Sequence, residues 1–108
     1  MPPRNSYPFN RRESRIPLEI PVVLDGHRQL PGMETTFTEN VSAKGARVVS
    51  VRRWEKGAAM ILASRTGEFR SEARVAYCQP LRGDGYAVGV EFLETQGRWV
   101  VESQNQLD

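Results

Sequence analysis

Residues 33–51, METTFTENVSAKGARVVSV, decide the fold class, because they hold two β-prone runs joined by a short polar segment. The run 33–39 alternates along its length and carries three threonines, which favours a strand. Asn40 to Gly45 is predicted as a turn, and Ala46 to Val51 is a second run rich in β-branched valine. The stretch therefore predicts two strands joined by a turn.

The segment before this unit also indicates a strand. Apolar residues recur at every second position from Leu18 to Leu24. Pro17 and Pro21 exclude a helix, and prolines in a strand favour a position at the edge of a sheet. Asp25-Gly26 then marks a turn.

Three more strands and one helix are predicted after the unit. The strands cover residues 58–63, 69–77 and 86–92. Residues 94–105 have the one plausible helical pattern, and such a helix would cover an open end of the sheet. The sequence thus predicts an all-β fold, a six- to seven-stranded antiparallel barrel with a C-terminal α-helix.

Length and composition limit the chain to one small domain. The chain has 108 residues, of which 39% are hydrophobic and 26% are charged, which is too apolar for a disordered chain. Prolines at positions 2, 3 and 8 predict a flexible lead-in over residues 1–9. Residues 10–105 are expected to form the single domain.

The residue types argue against an enzyme, a metal site and a membrane span. One cysteine, Cys78, and one histidine, His27, cannot build a zinc site or a nucleophile–base pair between them. His27 is expected to be an exposed turn residue without a task, and Trp54 and Trp99 are expected to be packing or surface residues rather than stacking platforms. No cofactor is expected. No apolar run approaches the roughly 18 residues that a membrane-spanning helix needs, and no secretory signal is visible, so a cytoplasmic location is expected.

Arginine dominates the basic residues. Only two of the 15 basic residues are lysines, and residues 1–54 hold nine bases against five acids. Guanidinium groups bind phosphates and guanine edges and stack on rings, so this half suits an anion. Arg28, Arg52 and Arg53 either extend a basic rim or are simply exposed. A GC-rich genome is the alternative cause of the arginine bias.

Two motifs stand out together. Arg11 to Arg15 contains an R-x-x-x-R pair before the first strand, and Asn40 to Gly45 forms an N-x-S-x-x-G turn. In an antiparallel barrel the lead-in and this turn can meet at one rim. Arginine can pair with guanine O6 and N7, and the glycine permits a positive φ or a close approach of a ligand.

These motifs, in this order and separation, resemble the PilZ domain family. Tyr86 to Phe92 looks like the closing strand of that family, and Arg74 to Tyr77 looks like the strand before it. The resemblance implies binding of the bacterial second messenger cyclic di-GMP, with the arginines as a clamp, the Asn and Ser on a guanine edge and the Gly shaping the turn. It implies six ligand-binding residues: Arg11, Arg12, Arg15, Asn40, Ser42 and Gly45.

The resemblance also gives expectations beside the motif residues. Tyr77 is expected near the bound bases, and Lys44 is expected to give only supporting electrostatics. The expected role is a stand-alone sensor or adaptor that signals to a partner protein in motility, exopolysaccharide or biofilm control. Two alternatives stay open: a protein-interaction barrel without ligand binding, and a small nucleic-acid-binding β-barrel. One bound cyclic di-GMP or a stacked pair both fit.

Overall fold

The computed structural model describes residues 14–101, and they form six antiparallel strands closed into a barrel. The strands are β1 (Pro21–Asp25), β2 (Glu34–Ser42), β3 (Gly45–Ser50), β4 (Ala59–Ser64), β5 (Phe69–Pro80) and β6 (Tyr86–Gly97). Their order around the barrel is β1-β2-β3-β6-β5-β4, and β4 pairs with β1 to close it. The predicted all-β antiparallel barrel is confirmed, with six strands.

The core fills the inside of the barrel, and β5 shows most clearly the alternation that places side chains there. In β5, Phe69, Ser71, Ala73 and Val75 are buried while the residues between them are exposed. Burying one large apolar side chain contributes about 1.5–3 kcal/mol, so this inner face dominates stability. The largest fully buried apolar side chains are Leu24, Met60, Leu62, Val22, Val41, Val48, Val75 and Val88.

The expectation that the first strand lies at a sheet edge is wrong. Val22 of β1 pairs with Thr36 of β2 on one side and with Ser64 of β4 on the other. A closed barrel has no edge strand. The structure tolerates Pro21 because it is the first residue of its strand, where a missing N–H costs least.

The predicted C-terminal helix over 94–105 is not seen. Glu94 to Gly97 are the last residues of β6 and pair with the start of β5, and residues 98–101 are not helical. Residues 102–105 lie outside the described residues. β5 and β6 both have 12 residues, and the N–H and C=O groups in the first half of β5 need hydrogen-bond partners. The last residues of β6 supply these partners as a strand and therefore do not form a helix. Gly97, with φ of 88°, then ends the strand.

Trp99 closes the end of the barrel that a helix was expected to cover. Its side chain is 8% exposed, and its ring centroid lies 4.6 Å from that of Phe69 and 5.1 Å from that of Phe92. Its indole Nε1–H donates a hydrogen bond of 2.8 Å to the carbonyl oxygen of Ser42. Of the two positions expected for the tryptophans, packing or surface, the structure shows packing for Trp99 and for Trp54, which is 3% exposed.

Replacing Trp99 by phenylalanine is expected to lower the free energy of unfolding by about 1–2 kcal/mol. Phenylalanine keeps most of the ring packing but leaves the carbonyl of Ser42 without its indole donor. Urea denaturation of the two proteins measures the difference. Equal midpoints and slopes would show that the hydrogen bond contributes nothing.

Candidate functional site

The segment before β1 lies along β2 and brings the two sequence motifs together. Ile16 and Val41 exchange backbone hydrogen bonds of 2.7 and 2.9 Å, and the amide of Thr38 donates to the carbonyl of Ile20. The hydroxyl of Thr38 also donates to the carbonyl of Leu18. These bonds fix the chain that carries the first motif against the strand that carries the second.

Arg15 and Asn40 are in contact as a result. Nη1 of Arg15 donates a hydrogen bond of 3.0 Å to Oδ1 of Asn40. Arg15 is exposed and Asn40 is half-buried, so a ligand can reach both side chains. Arg11 and Arg12 lie outside the described residues.

The polar turn is tighter than the predicted span from Asn40 to Gly45. Asn40 to Ser42 belong to β2, β3 begins at Gly45, and only two residues connect the strands. Ser42 is 5% exposed, and its hydroxyl donates to the carbonyl of Gly45 at 3.4 Å. In this structure the serine closes the turn.

Gly45 is needed for close packing rather than for an unusual backbone angle. It is not among the glycines with a positive φ. A Cβ at this position would collide with the carbonyl oxygen of Val90 in β6. The motif glycine therefore lets β3 and β6 approach each other beside the turn.

A row of four paired residues crosses the outer wall of the barrel from β2 to β5. Asn40 pairs with Arg47, Arg47 pairs with Gly89, and Gly89 pairs with Tyr77. The neighbours of Arg47 on β3 are fully buried, so its side chain points outward. We call these four residues, together with Arg15, the outer-wall row, and they form the candidate site. It lies on the side of the barrel rather than around its rim.

Arg47 is held in place by two side chains. Its Nε donates to Oε1 of Glu39 at 2.7 Å, and its Nη1 donates to the hydroxyl of Tyr77 at 3.1 Å. Its guanidinium carbon lies 5.7 Å from the centroid of the Tyr77 ring. The hydrogen bond to Glu39, followed by that to Tyr77, raises the pKa of Arg47 above its ordinary value. Arg47 is therefore a fixed cation in the middle of the row.

Gly89 makes room for the ring of Tyr77. A Cβ at Gly89 would collide with the ring atoms of Tyr77, so the ring lies directly over the glycine. The ring and the guanidinium of Arg47 form one continuous shelf on the wall. Such a shelf can support a flat base by stacking and can meet a phosphate with the arginine.

Replacing Gly89 by alanine is expected to lower the free energy of unfolding by about 1–3 kcal/mol, because the new methyl group displaces the Tyr77 ring. In a Tyr77→Ala background the same change should cost less than about 0.5 kcal/mol, because the obstacle is gone. Chemical denaturation of the four proteins measures this coupling. Equal costs in the two backgrounds would contradict the overlap.

Sequence reasoning expected Tyr77 near the site but missed Arg47. The sequence does contain a pattern that could have identified Arg47. It stands two positions after the motif glycine and lies between two apolar residues. In a strand that alternation turns the arginine to the outside beside the turn. Its partners could not be found this way, since Glu39 faces it through a β-bulge between Thr38 and Asn40.

The described residues hold neither a metal-binding cluster nor a membrane-spanning helix. Within residues 14–101, no three His, Cys, Asp or Glu side chains group closely enough to hold a metal ion. In the same part of the chain, no helix has the length and apolar character needed to cross a membrane.

Comparison with known proteins identifies the family. The fold is similar to the structure of the Bacillus subtilis inhibitor of motility (MotI/DgrA), with a TM-score of 0.65 and 20% identity over 80% of this chain. The match covers 44% of that protein, so this chain spans less than half of it, and the similarity shows the fold alone. No curated protein matches the chain. Residues 9–100 match the profile of the PilZ domain, and the chain therefore belongs to the PilZ domain family.

Proposed function

We propose that the chain binds cyclic di-GMP on the outer-wall row. PilZ domains are typically non-catalytic receptors of this nucleotide. The observation that carries the proposal is the hydrogen bond between Arg15 and Asn40, which joins the two motifs at one end of the row. Arg47 and the ring of Tyr77 continue the same surface.

The side chains of the row match the groups of a guanine nucleotide. A guanidinium can donate two parallel hydrogen bonds to guanine O6 and N7, and it can also lie flat on a base. Arg15 is exposed and can adopt either position. The amide of Asn40 both donates and accepts, so it can read the opposite edge of the same base.

Phosphate binding is assigned to the arginines of the row and of the first motif. Arg47 keeps its charge and is already oriented by Glu39, so it loses little side-chain entropy on binding. Arg11 and Arg12 are proposed to complete the clamp, on the strength of their places in the R-x-x-x-R motif. Ser42 and Gly45 are proposed to shape the turn that the ligand meets.

The proposed role is that of a sensor and adaptor in the cytoplasm, where an intracellular second messenger is available. Bound nucleotide would hold Arg15 and the arginines of the motif that precede it, while the segment after Arg15 is fastened to β2 without ligand. A partner protein in motility, exopolysaccharide synthesis or biofilm control would read the changed surface. Order in a basic arm is an established way to switch such a surface.

Isothermal titration calorimetry of the whole chain with cyclic di-GMP tests the proposal, with GTP and a short RNA as controls. We expect a Kd of about 10 μM or lower for cyclic di-GMP alone, and one or two ligands per chain. RNA binding that falls steeply with salt would instead indicate the nucleic-acid barrel. No heat with cyclic di-GMP, on a sample shown to be folded, would contradict the proposal.

A further inference from the structure

The end of the barrel away from the β2–β3 turn carries a second feature that the proposed function does not use. It is formed by the loop after β1, residues 26–33, and the loop after β3, residues 51–58. We call this end of the barrel the distal end. β2 runs from Glu34 at this end to the outer-wall row, a separation of about 20 Å between Glu34 and Asn40.

A cleft of about 460 Å³ opens between these two loops, a volume in the usual range of ligand sites. Trp54 is buried and forms part of its wall, and its Nε1–H donates to the hydroxyl of Ser50. The lining includes His27, Arg28, Leu30, Arg53, Trp54 and Glu55.

His27 fixes the shape of the cleft, so the expectation that it is an idle turn residue is wrong. Its Nδ1 accepts hydrogen bonds from the amides of Gln29 and Leu30, at 3.2 and 3.1 Å. Its Nε2 is therefore the protonated nitrogen and donates to the carbonyl of Arg53 at 2.8 Å. The ring also packs edge-on against Trp54, with centroids 4.6 Å apart. One side chain thus joins the two loops.

Arg52 fastens the remainder of the first loop. Its Nη1 donates to the carbonyls of Leu30 and Gly32 at 3.1 and 3.0 Å. With His27 and Arg52 in place, the backbone around the cleft is organised before any ligand arrives. Preorganisation of this kind reduces the entropy lost on binding.

Two guanidinium groups in the cleft have no polar partner among the described residues. Within residues 14–101, the side chains of Arg28 and Arg53 take part in no hydrogen bond and no ion pair, although Glu55 lines the same cleft. The two loops together hold four cations, Arg28, Arg52, Arg53 and Lys56, against Glu55 alone. The cleft therefore carries an excess of positive charge, with which carboxylates or other anions can pair.

Exposed apolar side chains adjoin these arginines. Leu30, which lines the cleft, is 46% exposed, Met33 is 67% exposed and Val51 is 76% exposed. All three belong to the same two loops. Large apolar side chains grouped beside charges are typical of a surface that binds protein.

We propose that the distal cleft docks an acidic segment of a partner protein. Carboxylates of that segment pair with Arg28 and Arg53, and an apolar side chain between them packs on the exposed Leu30. The purpose of this surface rests on the proposed function, since an adaptor must present a docking face. The apolar border favours a peptide over a nucleic acid, which would offer phosphates but no aliphatic side chain.

Fluorescence anisotropy with a labelled peptide tests this surface on the whole chain. The probe is a short peptide in which pairs of glutamates alternate with single leucines. We expect saturable binding that weakens at least about tenfold in the double variant Arg28→Glu/Arg53→Glu. The matched control, Arg65→Glu/Arg70→Glu, makes the same charge change at exposed positions near the other end, and it should stay within about twofold of wild type.

A second peptide tests the apolar contact separately, and a milder variant tests whether the loss of binding comes from the missing arginines rather than from added acidic charge. The same peptide with serines in place of leucines should bind at least about threefold more weakly, because the apolar contact is lost. Arg28→Gln/Arg53→Gln, which avoids introducing acidic repulsion, should also weaken binding. Equal losses in the distal and control variants, no binding by wild type, or tighter binding of a short RNA than of the peptide would each overturn the proposal.

The test separates this proposal from the proposed function. Arg28→Glu/Arg53→Glu should bind cyclic di-GMP as the wild type does, because the two sites lie at different ends of β2. Peptide binding without cyclic di-GMP binding would leave the distal cleft standing and remove the receptor role. The reverse result would remove the distal cleft and leave the receptor role.

Discussion

Arg15→Ala is expected to weaken cyclic di-GMP binding by about 30- to 900-fold, which corresponds to about 2–4 kcal/mol. The change removes a charge-assisted contact and leaves the ligand group and Asn40 without their partner in the complex. The free energy of unfolding should change by less than about 0.5 kcal/mol, because Arg15 is exposed and lies outside the core. Calorimetry and urea denaturation measure the two quantities.

Arg70→Ala is the matched control for this prediction. Arg70 is an exposed arginine on β5, and it pairs with Ala63 and Gln96 rather than with the outer-wall row. Its loss changes the net charge equally and should change the affinity by less than about twofold. Wild-type affinity in Arg15→Ala, or an equal loss in both variants, would show that Arg15 makes no specific contact.

Gly45→Ala is expected to destabilise the fold by about 3 kcal/mol or more. The new Cβ would overlap the carbonyl oxygen of Val90, a backbone atom inside the ladder between β3 and β6. Neither strand can move aside without breaking hydrogen bonds on its other flank. Thermal and chemical denaturation of the variant measure the loss.

Gly32→Ala provides the comparison for Gly45→Ala. Gly32 has φ of 94°, and a Cβ added there would meet no atom within 4 Å, so its replacement tests backbone strain without overlap. We expect a cost of about 1 kcal/mol there. If Gly45→Ala proved no more harmful than Gly32→Ala, the account of the motif glycine as a packing requirement would be wrong.

Most of the barrel could be predicted because its strands have recognisable local sequence patterns. Alternation and β-branched residues locate β2 and β3, and glycines and prolines mark the loops between strands. The end of β6 could not be found in this way. Glu94 to Gln96 are polar and exposed, and only the length of β5 opposite them makes them a strand.

The candidate site was predictable at its motifs and not across its width. Arg15 and Asn40 stand in recognisable patterns, and their contact agrees with the expected meeting of lead-in and turn. The row from Asn40 through Arg47 to Tyr77 depends on the register of three strand pairs, and the contact of Arg47 with Glu39 depends on the bulge in β2. Such pairing is set by tertiary packing, which no local pattern contains.

The central claim is that cyclic di-GMP binds on the outer-wall row, and an amide NMR titration of the whole chain with cyclic di-GMP tests it most directly. The account predicts no comparable shifts at the distal end and the largest shifts at Arg15, Asn40, Arg47, Gly89 and Tyr77. Shifts confined to the distal end, or none at saturating nucleotide, would contradict it.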